Sequence, residues 1–94
     1  MAESTFQQTM LKLGYVLEAQ DGHKLTYRKE RQFSVLVLVI NLEPEWYTIN
    51  PILVPKSVIM FAKEIDTLYK DFDDLRADAN VLYEKSKGKL TVLN

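Results

Sequence analysis

The sequence predicts an α+β domain: a short N-terminal helix, a four-stranded antiparallel meander, and a long C-terminal amphipathic helix packed on the sheet. Three observations carry this prediction. Between Tyr15 and Asn50, apolar and polar residues alternate in short runs parted by turn residues, which is the period-two pattern of strands. One run, Phe33 to Leu42, is apolar at both parities, as in a central strand covered on both faces. From Val58 onward, Val58, Phe61, Ile65, Leu68, Phe72, Leu75, Ala79 and Leu82 follow one another at spacings of 3 and 4, with no glycine or proline between them. That spacing is the seam of an amphipathic helix.

The elements follow in order. Ser4 and Gln7 have the spacing of a capping box, Phe6, Met10 and Leu13 share one helical face, and Gly14 supplies a left-handed end, which predicts a helix over 5–13. Tyr15, Leu17 and Ala19 alternate with polar neighbours in a strand over 15–20, and Asp21-Gly22 marks a turn. Leu25 and Tyr27 place the second strand at 24–30. A three-residue loop through His23 sets Ala19 against Leu25 and Leu17 against Tyr27, which gathers the apolar side chains on one face. The third strand covers 33–42. Pro44 breaks it, and 46–50 is the fourth. Pro51 and Pro55 bracket a non-helical link, because proline lacks an N–H and disfavours helix in the residue before it. Ser57 caps the long helix, 57–86, which Gly88 ends, with Lys85 and Lys87 near the negative end of its dipole. Leu90 to Leu93 reads as a tail or a short edge strand.

Composition narrows the function classes. The 94 residues form a single domain, 1–94, 47% hydrophobic and 27% charged, which is ordinary for a globular protein. A net charge of -1 gives no global pull toward nucleic acid or an anionic membrane. The absence of cysteine excludes disulfides and thiolate metal sites and is compatible with a reducing cytoplasm. The longest apolar run, Val35 to Ile40, is far short of the roughly 20 residues of a membrane span. The expected setting is soluble and cytoplasmic, with no membrane and no direct nucleic-acid contact.

Candidate chemistry is sparse. His23 is the only histidine and sits beside a turn, so with no cysteine it builds no common zinc site. The sequence holds no nucleophile elbow, no dinucleotide-binding glycine pattern and no phosphate loop. Nor does Asp71–Asp74 have the alternating order of a calcium loop. No catalytic, cofactor-binding or metal-binding residue is assigned, and no enzyme is expected. Lys24, Arg28, Lys29 and Arg31 read as solvated charges at the edge of the sheet. Trp46, Tyr47 and Tyr27 are aromatic candidates for an interface or for the core.

The long helix carries the functional expectations. A straight helix over 57–86 is about 45 Å long at 1.5 Å per residue, whereas strands of five or six residues span about 17–20 Å. Its first half is expected on the sheet, and the distal residues Phe72, Leu75, Ala79 and Leu82 beyond it. That overhang predicts a homodimer through those four residues, unless the helix breaks near 71–74 and folds back, or presents its end to another protein. The opposite sheet face also needs a cover, which the first helix supplies only in part. Between Glu64 and Glu84, seven acids face only Lys70 and Arg76, so Asp71, Asp73, Asp74 and Asp78 form a candidate acidic patch for a basic partner.

Leu13-Gly14-Tyr15, then Leu25-Thr26-Tyr27-Arg28-Lys29, an apolar strand and Trp46-Tyr47 resemble small phage and prophage proteins of Gram-positive bacteria over about 13–50. The long acidic helix departs from that group. The resemblance implies an accessory or host-interaction role and transfers no catalytic residue. Two expectations result. The first is a non-enzymatic interaction module, homodimeric through the distal helix. The second is an inhibitor or decoy that sets its acidic helix against a basic nucleic-acid-binding host protein, in the manner of anti-CRISPR proteins.

Overall fold

A computed structural model describes residues 2–43, 47–58, 61–85 and 90–92. The elements are α1 (Ala2–Leu13), β1 (Val16–Asp21), β2 (Lys24–Glu30), β3 (Ser34–Leu42), β4 (Tyr47–Pro55), α2 (Ala62–Lys85) and β5 (Leu90–Val92). The strands form one sheet in the order β1-β2-β3-β4-β5. The first four pair antiparallel as the predicted meander, and α2 packs on it. The tail residues add a fifth strand, parallel to β4, with α2 as the crossover. Pro44, Trp46, Ser86, Lys87 and Gly88, to which the sequence assigned a strand break, an aromatic contact and a helix end, lie outside the described residues.

Gly14 ends α1 as expected. Its φ is +93°, the Tyr15 N–H donates to the Met10 carbonyl at 2.8 Å, and the Gly14 N–H donates to Leu11 at 3.1 Å. This pair of bonds is a Schellman motif, which turns Tyr15 back under the helix. The helix starts earlier than predicted, at Ala2, so Ser4 lies inside it and is not its cap.

The β1–β2 hairpin differs from the predicted register in an instructive way. The loop is the two residues Gly22 and His23, flanked by Asp21 paired with Lys24. Continued regularly, that register would turn Leu17 away from Tyr27. A bulge at Glu18 inserts one residue, and Leu17 returns opposite Tyr27 as predicted, while Ala19 faces Thr26 instead of Leu25.

β4 runs through both prolines to Pro55, five residues beyond its predicted end. The ladder explains why. Lys56 donates its N–H to the Phe33 carbonyl at 2.9 Å, so even-numbered N–H groups of β4 face β3 and odd-numbered positions face the other edge. Pro51 and Pro55 fall on that other edge, where a missing N–H breaks no bond to β3. α2 begins five residues later than predicted. Phe61 takes the cap position: its carbonyl accepts from Glu64 and Ile65, and the Glu64 carboxylate reaches back to its N–H at 3.3 Å. From Ala62 to Lys85 the helix is unbroken, so no hairpin forms near 71–74.

Both helices pack on the same sheet face. Met10 of α1 and Leu75, Ala79 and Leu82 of α2 share one buried cluster with Tyr15, Leu25, Tyr27, Leu36, Leu38, Ile40, Leu42 and Ile49. The opposite face, with Val35, Val37, Val39, Ile52 and Val54, has no described element over it, so the cover expected from the first helix is not there.

Candidate docking surface

The two halves of α2 do the reverse of what the sequence predicted. Leu75, Ala79 and Leu82, expected to project, are 0%, 1% and 0% exposed. Burying each leucine contributes about 1.5–3 kcal/mol, so they are core and present nothing to a partner. Phe61 and Ile65, from the half expected on the sheet, are 76% and 42% exposed, and Tyr69 and Phe72 beside them are 69% and 42% exposed. Of the four predicted interface residues, only Phe72 is at the surface.

The reason is where the helix is anchored. Asp71, 1% exposed, accepts from Ser34 Oγ at 2.8 Å and from Arg31 Nε at 3.0 Å. Ser34 is the first residue of β3 and pairs with Pro55, the last of β4. The middle of α2 therefore sits at that end of the sheet, and the turns before Asp71 overhang it. The heptad counts Phe72 as a seam residue, but Phe72 lies about 100° around the helix from Asp71 and so falls on the flank.

The acidic patch is largely answered from within the chain. Arg31 bridges Asp71 and, at 3.0 Å, Asp74. Asp78 accepts from the Tyr15 hydroxyl at 2.8 Å and has Lys29 Nζ at 3.8 Å. Burial first, and then the bond to Asp78, push the Tyr15 phenol above its ordinary value and keep it protonated as a donor. Asp73 alone of the four is neither buried nor bonded to the sheet among the described residues. The supposed edge charges Lys29 and Arg31 are thus the internal partners of the acids. One signal was present in the sequence. Lys29 and Arg31 share the parity of Leu25 and Tyr27, so they point to the helix side of the sheet. Arg28, of opposite parity, pairs with Glu18 and Glu30, and the Lys56 ammonium holds Glu30 below its ordinary value.

Between the overhanging helix and the end of β4 runs an apolar trough. One hollow of about 400 Å³ is lined by Leu53, Ile65, Leu68, Tyr69 and Phe72. A second, of about 470 Å³, is lined by Pro55, Ser57, Val58, Ile65 and Leu68. They share Ile65 and Leu68 and form one groove. Among the described residues, β5 covers the β4 edge only at Tyr47–Ile49. Beyond it the outward positions are Pro51, Leu53 and Pro55, of which only Leu53 has an N–H to offer. A strand cannot extend the sheet on one donor, so this edge resists β-addition, and no other described residue fills the groove above it.

Among the described residues no group of three or more His, Cys, Asp or Glu is placed to hold a metal ion, and no helix is long and apolar enough to cross a membrane. Compared with protein-family models, curated proteins and solved structures, the chain matches none of them.

Proposed function

We propose that the chain is a non-enzymatic protein-interaction module, working in the cytoplasm, whose trough between β4 and the first half of α2 receives an amphipathic helix. The single observation that carries this reading is the trough itself. Five side chains, apolar but for the Tyr69 hydroxyl, line its first hollow, two rings, Tyr69 and Phe72, stand exposed along its helical wall, and the strand edge beneath it lacks the donors to add another strand. A helix satisfies its own backbone and brings only side chains, so it needs nothing from that edge. The alternative of an acidic decoy has less in its favour, because Asp71, Asp74 and Asp78 already hold Arg31, Ser34, Tyr15 and Lys29.

The test is a photo-crosslinking residue placed at Tyr69 in cells that express the protein, with Gln20 on β1 as the control. The expected result is a discrete adduct from Tyr69, lost when Ile65 becomes glutamate, and none from Gln20. Equal adducts at both positions, or none at Tyr69, would reject the reading.

A further inference from the structure

One cation stands at the end of the trough, and it narrows the chemistry of the helix that docks there. Resting on the helix-docking reading above, we propose that the partner is an amphipathic helix whose apolar stripe ends in an aspartate or glutamate, and that Arg76 receives this carboxylate.

The residues lining the two hollows carry no formal charge, so the trough itself does not tell one apolar helix from another. Arg76 adds the missing selectivity. At 3.6 residues per turn it lies within about 40° of Ile65, Tyr69 and Phe72 around the α2 axis, on the wall that borders the trough. Its guanidinium is 5.9 Å from the Phe72 ring centre, which holds it against the end of the first hollow. Lys63 and Lys70 fall at least about 100° from those three residues, on the far side of the helix. From the sheet, Lys56 shares the parity of Ile52 and Val54, which face away from α2, and it is bonded to Glu30 at 2.7 Å. Arg76 is therefore the one cation among the described residues that borders the trough.

That cation is also unspent. The ion pairs among the described residues use Arg28, Lys29, Arg31 and Lys56, and Arg76 is exposed and joins none of them. Stacking on a ring leaves the edge donors of a guanidinium free, and their fork matches a carboxylate. A partner that covers Phe72 shields this pair from water and strengthens it. The anion is a single carboxylate and not a phosphate backbone, because Asp66, Asp73, Asp74 and Glu84 are exposed on the rest of α2 and repel a polyanion. Ile65 and Arg76 are eleven residues apart, about 16 Å along the helix, which fits about three turns of a docked partner. With its charge at one end only, the trough also sets the partner's direction, acid end at Arg76.

Two synthetic helices of about 18 residues, long enough to be helical in water, test this on the purified chain. They share a leucine stripe at spacings of 3 and 4 and differ in one residue at its end, glutamate in one and lysine in the other. Fluorescence anisotropy reads their binding, and light scattering reads the mass of the chain alone. The glutamate helix should bind about tenfold more tightly than the lysine helix, since an attraction becomes a repulsion. Arg76→Glu should invert that order, Arg76→Gln should abolish it, and Ile65→Glu should release both helices. Equal binding of the two helices overturns Arg76 as the selector and leaves the docking reading standing. Binding of neither overturns the inference, and a missing Tyr69 adduct in cells overturns the reading beneath it. A parent chain that dimerises, and becomes monomeric on Ile65→Glu, puts a second copy in the trough and overturns the acidic partner.

Discussion

Leu75→Ala is expected to lower the unfolding free energy by about 3 kcal/mol, read as a shift of the urea midpoint with unchanged slope. The side chain is wholly buried in the one apolar cluster that joins α1, α2 and the sheet. Truncation removes three methyl-sized groups from a site bounded by the sheet on one side and the Arg31–Asp71 anchor one turn away, so little can collapse into the space. Domains of this size are stable by about 5–15 kcal/mol, which makes this a large fraction of the total. Were Leu75 an interface residue, the same substitution would change assembly and leave the midpoint in place. A loss below about 0.5 kcal/mol, the range of surface substitutions, would contradict the burial argument.

Arg31→Ala is expected to cost about 2–4 kcal/mol, with a fall in Tm of about 10–25 °C for a domain of this length. The carboxylate it abandons is the reason. Asp71 is buried, and without Arg31 its only described partner is the Ser34 hydroxyl. Removing one member of a buried pair typically costs about 3–5 kcal/mol, and the estimate is reduced here because the Arg31 side chain is 32% exposed and water replaces part of it. Adding Asp71→Asn should recover about half of the loss, since a neutral amide tolerates the site better than an unpaired charge. An effect no larger than that of an exposed pair, with no recovery in the double variant, would show that the anchor contributes little.

Much of the fold was legible, and the exceptions have identifiable causes. β2 could be bounded from its alternation, and Gly14 named the end of α1 because only a left-handed residue closes a Schellman motif. The long helix was visible in its 3-4 spacing, but the spacing says only that apolar residues share a stripe. It does not say which part of the stripe meets the sheet. That was decided by Asp71, a charged residue that pattern reasoning places outside, held inside by Ser34 and Arg31 from 37 and 40 residues earlier in the chain. The prolines misled for a related reason. Pro51 and Pro55 read as the end of a strand, yet both fall on the edge where β4 asks for no donor. The trough was not legible either, because it depends on that longer strand reaching beneath a helix that overhangs it.

α2 is divided near Asp71 into a half buried against the sheet and an exposed half that borders the trough. Urea unfolding followed by circular dichroism, on Ile65→Glu/Phe72→Glu beside Leu75→Glu, decides this. The first variant should stay folded with a midpoint close to the parent's, and the second should be largely unfolded. Equal losses in both variants, or a loss confined to the first, would overturn the division.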